Sequence, residues 1–128
     1  MAATSTRADR DAPDSRIPLR STDFLILLML GRSGDRHGYG IMQDVVEHTS
    51  GSIELEAGSL YRTIRRLQDD RLLEESSRRP AADLDDERRR YYRLTPFGKR
   101  VVAAEAARLR RLVRIAEAAR ILAPEPPR

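Results

Sequence analysis

The chain has 128 residues, 40% hydrophobic and 34% charged, enough for one modest core under a heavily charged surface and not for two. It contains no cysteine, which excludes a disulfide framework, thiolate chemistry and a cysteine-based metal site. The formal net charge of +4 favours polyanionic partners, and Lys99 is the lone lysine among 24 basic residues.

Residues 1–18 combine small residues and prolines with balanced charge, Arg7, Arg10 and Arg16 against Asp9, Asp11 and Asp14. Such a segment buries little apolar surface and is expected to be a disordered arm. An ordered domain is expected over residues 19–95. Ser21, Thr22 and Asp23 offer N-cap oxygens, and Gly31 is a natural helix stop. These caps favour a helix over a buried strand for the run Phe24 to Leu30, which is apolar on every side. A helix of that kind needs cover all round, from its own domain and from a second subunit. The same run is far shorter than the roughly 20 residues of a membrane span. It does not open the chain as a signal peptide would, so a soluble cytoplasmic protein with no membrane partner is expected.

A polar turn from Arg32 to Arg36 leads to His37-Gly38-Tyr39-Gly40 and a second helix ending near Gly51, with Ile41, Met42 and Val45 on one face. Ser52 to Leu55 reads as a short extended link, a strand in the order of elements. A third helix is predicted over 57–70, where Leu60, Ile64 and Leu67 form one apolar stripe. The opposite face carries Ser59, Arg62, Arg65, Arg66 and Asp69. Leu72 to Ser77 and Arg88 to Leu94 read as paired strands around a polar tip, with Tyr92 and Leu94 on one face of the second. Thr95-Pro96 is a cap followed by proline at the first helical position. It opens a fourth helix running to about Leu122, with residues 123–128 as a flexible tail. At about 27 residues this helix would be roughly 40 Å long, more than one small domain covers. A partner subunit is the expected cover for its stripe of Val101, Val102, Leu109, Leu112, Val113 and Ala116.

The fold class expected is mainly α (α+β): a winged helix-turn-helix with a two-stranded wing and a C-terminal dimerisation helix. The second and third helices make the helix-turn-helix, and the third fits a DNA major groove. On its outer face Ser59, Arg62 and Arg66 are candidates for base edges, and Arg65 for phosphate. Gly38, Tyr39 and Gly40, at a helix start, are candidates for a backbone phosphate clamp. In the wing Arg78, Arg79, Arg88, Arg89 and Arg90 flank an acidic tip of Asp83, Asp85, Asp86 and Glu87, so contacts are placed on the strand ends.

Several fragments together resemble the PadR family: His37-Gly38-Tyr39-Gly40, Gly58-Ser59-Leu60-Tyr61-Arg62, Leu67 with Leu72-Leu73, and Arg90-Tyr91-Tyr92-Arg93-Leu94-Thr95 with Gly98. The resemblance covers about residues 25–98. It implies a DNA-binding regulator, usually a repressor, with Ser59, Tyr61 and Arg62 near DNA. It also implies a homodimer through the first and fourth helices, here Phe24, Leu28, Val101, Leu109, Leu112, Val113 and Ala116. Arg108, Arg110, Arg111 and Arg114 would line its exposed side, pairing with Glu105 and Glu117. A two-fold dimer reads an imperfect palindrome with half-sites about 34–36 Å apart. Some members of the family bind flat aromatic effectors, and no effector is assigned here.

Other classes fit less well. No HExxH motif, phosphate-binding glycine loop or Ser-His-Asp order is visible, so no enzyme, cofactor or metal is expected. Asp44 and His48, one helical turn apart, are the nearest approach to a metal pair. A winged helix used only for protein contacts is the alternative function, opposed by the arginines of the third helix. A regulator of the MarR type is opposed by the His-Gly-Tyr-Gly and Tyr-Tyr-Arg-Leu-Thr elements.

Overall fold

The structure, a computed structural model, describes residues 12–76 and 90–127. After a 3-10 turn at Pro13–Arg16, the elements are α1 (Ser21–Ser33), β1 (Arg36–His37), α2 (Gly38–His48), α3 (Ala57–Asp69), β2 (Leu73–Glu75), β3 (Tyr91–Leu94) and α4 (Pro96–Ala118). Four helices thus surround a small antiparallel sheet of order β1-β3-β2. The winged helix expected from the sequence is present, its sheet three-stranded where a two-stranded wing was expected. The added strand is Arg36–His37, where the end of a polar turn and the run into the second helix are expected, and it pairs Arg36 with Tyr92 and His37 with Tyr91. Its neighbours, not its own two residues, make it a strand. The Ser52–Leu55 segment, by contrast, pairs with no strand among the described residues.

The boundaries follow from local chemistry. Helix α1 starts at Ser21 behind Arg20 with no side-chain cap, so none of Ser21, Thr22 and Asp23 is the N-cap expected above. It also runs past Gly31 to Gly34, whose φ of 75° supplies the left-handed stop, and Gly34 N–H closes on the Leu30 carbonyl at 2.9 Å. Helix α4 opens as expected: Pro96 follows Thr95, whose hydroxyl accepts from Gly98 N–H at 2.9 Å. It ends at Ala118, four residues short of the expected Leu122. No described helix is long and apolar enough to cross a membrane.

The core joins the apolar side of each element: Ile26, Leu27 and Leu30 of α1, Ile41 and Val45 of α2, Leu60, Ile64 and Leu67 of α3, and Leu73, Tyr92 and Leu94 of the sheet. The alternation expected along the last strand holds, Tyr92 and Leu94 being buried and Arg93 exposed. From α4 the core takes Val101, which is fully buried inside the protomer. Val101 therefore leaves the set of residues assigned to a subunit interface. Its turn of α4 faces its own domain before the helix runs free.

Part of the segment expected to be a disordered arm belongs to the fold. The Pro13–Arg16 turn lies against α4, and Arg16 sits 5.7 Å from the centroid of the Phe97 ring. The Ile17–Pro18 peptide is cis. Glu105 of α4, only 1% exposed, accepts from the Leu19 N–H at 2.6 Å and pairs with Arg108 one turn on. It is thus a strap within one subunit rather than a partner for arginines across a dimer. The Arg108 hydrogen bond, aided by the Leu19 N–H, holds its carboxyl below the ordinary 4.5 despite desolvation. A depressed carboxyl stabilises the fold above its unfolded-state value, and that stabilisation is lost as pH falls through the folded one. Glu105→Gln should therefore flatten the acid limb of stability against pH. Urea titrations from neutrality down to about pH 3 check this, and parallel curves for variant and wild type would refute it.

Candidate nucleic-acid interface

The connection between α2 and α3 brings the two helices together as a helix-turn-helix. Helix α2 stops at Thr49, Ser50 and Gly51 take positive φ, and Gly51 N–H returns to the Val46 carbonyl at 2.8 Å. Thr49 Oγ1 then donates to the Val45 carbonyl at 2.7 Å and accepts from Ile53 N–H at 3.2 Å. These bonds fix the angle at which residues 53–56 enter α3. The apolar stripe of α3 is seated as the sequence predicts, Leu60, Ile64 and Leu67 each being 1% exposed.

With the stripe anchored, the outward pole of α3 falls at Arg62 and Asp69, both exposed, with Arg65 beside them. Arg62 Nη2 lies 3.3 Å from the Ser59 hydroxyl, a neutral partner, and no described carboxylate pairs with it. Its guanidinium is therefore presented without the competition of an internal anion. Ser59 is half-buried at its foot.

Two of the expected site residues lie elsewhere. Tyr61 is 8% exposed and packs over Gly38, so it is a core residue of the helix pair rather than part of the solvent face. Arg66 turns back into the protomer. Its Nη2 and Nη1 donate to the two oxygens of Asp23 at 2.7 and 2.9 Å, and the Asp23 side chain is 7% exposed. By angle alone Arg66 lies on the outer half of the helix, but an arginine stem is long enough to curl back to a buried charge. The missed signal was Asp23 itself. An acid at the head of a fully apolar helix needs a counter-charge, and the sequence did not show which cation supplies it.

The turn before α2 is likewise built for packing. His37 Nδ1 accepts from Gly40 N–H at 2.8 Å, which occupies one of the backbone donors expected to clamp phosphate. Gly38 and Gly40 are buried, and a Cβ at either would need a side chain to shift, the Tyr61 ring at Gly38 and the Arg36 guanidinium at Gly40. Tyr39, between them, is 58% exposed and stays on the surface. Arg36 itself donates through Nε and Nη2 to Asp44 at 3.0 and 3.1 Å. The same hydrogen bonds hold Arg36 and Arg66 above the ordinary arginine pKa, so both keep their charge. Asp44 is thereby occupied, and His48 reaches the Asp44 carbonyl rather than its carboxylate, at 2.9 Å. Among the described residues no group of three or more His, Asp or Glu could hold a metal ion.

In the wing, Arg90 lies 3.9 Å from Glu75, and Arg93 Nε donates to Glu74 at 3.0 Å. Arg78, Arg79, Arg88 and Arg89 lie outside the described residues. Of the residues assigned to dimerisation, Phe24, Leu109 and Ala116 are half-buried. Leu28 is 36% exposed, Leu112 48% and Val113 45%.

Comparison with known proteins agrees with this geometry. The model of the PadR-like family of transcriptional regulators matches residues 26–104, more than half of the chain. An uncharacterised protein of Lysinibacillus sphaericus is 33% identical over 75 residues, 58% of this chain and 65% of the relative, just under two thirds of its length. A PadR family transcription regulator from hypervirulent Clostridium difficile is 26% identical at a TM-score of 0.61, covering 75% of this chain and 94% of that one. A transcriptional regulator from Clostridium thermocellum, 21% identical with a TM-score of 0.61, covers 84% of this chain and 96% of its own, and shares the fold. RosR of H. salinarum does too, 24% identical with a TM-score of 0.58 over 84% of this chain and 99% of its own. A helix-turn-helix backed by a small antiparallel sheet, with the family match spanning that whole unit, places this chain in the PadR-like family of transcriptional regulators.

Proposed function

We propose that this regulator is a cytoplasmic repressor that binds double-stranded DNA as a homodimer, reading a pseudo-palindromic operator with α3. The observation that carries the reading is the division of arginines around the helix-turn-helix. Arg36 and Arg66 are tied to buried aspartates, whereas Arg62 faces outward on the pole opposite the Leu60-Ile64-Leu67 stripe. An outward arginine there suits bidentate bonding to guanine O6 and N7. Ser59 and Arg65 flank it, Tyr39 lies at the start of α2, and the wing arginines Arg78, Arg79, Arg88 and Arg89 would add phosphate contacts.

The dimer reading rests on Leu28, Leu112, Val113 and Ile115, exposed apolar residues of α1 and the free half of α4, with Phe24, Leu109 and Ala116 beside them. A row of this kind marks an association surface. Sedimentation of the full chain at micromolar concentration should give twice the mass of one subunit, and a monomer would overturn that part.

The DNA reading is tested by gel shift against the DNA upstream of the protein's own gene. Arg62→Ala should weaken specific binding by about 1–3 kcal/mol and relax the preference at one base position of each half-site. Wild-type affinity in that variant would remove α3 from the groove.

A further inference from the structure

The bond between Asp23 and Arg66 connects the head of α1 to the last turn of α3, and its place on α3 is informative. Successive residues turn by about 100°, so with the Leu60-Ile64-Leu67 stripe at the bottom, Tyr61 lies about 100° up one flank and Arg66 about 120° up the other. Arg62 is then near the top. A helix resting on a single apolar line can roll about that line at little cost, because the contacts beneath it are non-directional. Here both flanks are held. Tyr61 is wedged over Gly38 of α2, and Arg66 is bonded at two points to Asp23 of α1, at 2.7 and 2.9 Å.

We propose that Arg66 is a positioning residue. Together with Asp23 it fixes the roll of α3, and so the direction in which Arg62 is presented to DNA; this rests on the DNA-reading function proposed above. The geometry sets the sensitivity. A roll of about 20° displaces a group at the outer radius of a helix, about 5–6 Å, by about 2 Å. A base contact tolerates about 0.5 Å in donor–acceptor distance, so that roll abolishes a bidentate bond. The pair suits this task because it is directional. Two parallel N–H···O bonds from a planar guanidinium define an angle as well as a distance. The Asp23 end is fixed in turn by burial at the head of α1, next to Ile26 and Leu27 of the core.

The test compares Asp23→Asn, Arg66→Gln, the double variant and Arg66→Lys in the full chain. Each is titrated with the DNA upstream of its own gene over a range of salt, and amide hydrogen exchange is followed along α3. A strut predicts that Asp23→Asn and Arg66→Gln each weaken specific binding about tenfold, the loss of one good base contact. The double variant should be no worse than either single one, because the two residues act as a unit. The salt slope stays at its wild-type value, since no phosphate contact is removed. Protection of the α3 amides falls in all three variants.

If Asp23→Asn binds as tightly as wild type or more tightly while Arg66→Gln alone weakens binding and lowers the salt slope by about one, Arg66 touches DNA and the proposal is wrong. Unchanged exchange along α3 also overturns it. Should Asp23→Asn not fold, Arg66→Lys decides. It keeps the charge and loses the two-point bond, so reduced α3 protection and weaker binding at constant slope support the strut, and wild-type behaviour in both measurements refutes it. A wild-type protein without specific DNA binding would remove the function proposed above, and the exchange experiment would still decide whether Asp23 and Arg66 hold α3.

Discussion

Replacing Gly98 by alanine is expected to cost about 3 kcal/mol or more, the upper end for an overpacked site and a large share of a domain's stability. A Cβ at this position would lie 1.8 Å from the carbonyl oxygen of Leu72, 2.8 Å from its carbon and 3.2 Å from its Cα. All three are backbone atoms of the turn between α3 and β2, which cannot swing aside as a side chain can. The first turn of α4 lies directly on that backbone. Thr95 holds it there, donating its hydroxyl to the Arg71 carbonyl at 2.6 Å and its N–H to the Leu72 carbonyl at 3.2 Å. Lifting α4 to make room would break these bonds and draw Val101 out of the core. Gly98 is required for the absence of a Cβ, not for an unusual backbone angle. Chemical denaturation followed by circular dichroism measures the cost, and a variant within about 0.5 kcal/mol of wild type would contradict this packing.

Gly38→Ala should be the second most damaging substitution, at about 2–3 kcal/mol. Its Cβ would meet the Tyr61 ring, 2.5 Å from Oη, 2.7 Å from Cε1 and 2.8 Å from Cζ. The ring is 8% exposed and sits between α2 and α3, so it has little space to retreat. Alanine here would push the two helices of the helix-turn-helix apart. The collision is with one side chain, which makes it separable: Tyr61→Leu in the Gly38→Ala background should recover part of the loss. Denaturation of the two single variants and the double one reports this coupling, and strictly additive losses would place the strain elsewhere.

Much of the fold was legible in the sequence because its signals are local. The Leu60-Ile64-Leu67 spacing located the face of α3, and the Thr95-Pro96 pair located the start of α4. The alternation of Tyr91 to Leu94 located the inner face of the last strand. Features set by distant residues were not legible. The Arg36–His37 strand exists because Tyr91 and Tyr92 pair with it. Gly31, a plausible stop, was passed over because the left-handed turn is made at Gly34.

The candidate site divides in the same way. Arg62 and Arg65 follow from the angular position of a residue on a helix. Tyr61 and Arg66 do not, because their placement depends on Gly38 and Asp23, the latter 43 residues away from Arg66. The His-Gly-Tyr-Gly run likewise reads as an anion-binding turn in isolation. In the fold its glycines admit Tyr61 and Arg36 at close range. Val101 was assigned to the dimer from its stripe, but where a helix passes from its own domain to a partner is not written in a periodicity.

The proposed function requires α3 to lie in the major groove of DNA with Arg62 toward the bases, in each of two subunits. Hydroxyl-radical footprinting of the wild-type protein on the DNA upstream of its own gene tests this most directly. Two protected tracts related by a two-fold axis, with centres about 10–10.5 base pairs apart, are predicted. Uniform weak protection no different from that on a scrambled sequence would contradict a groove-bound α3.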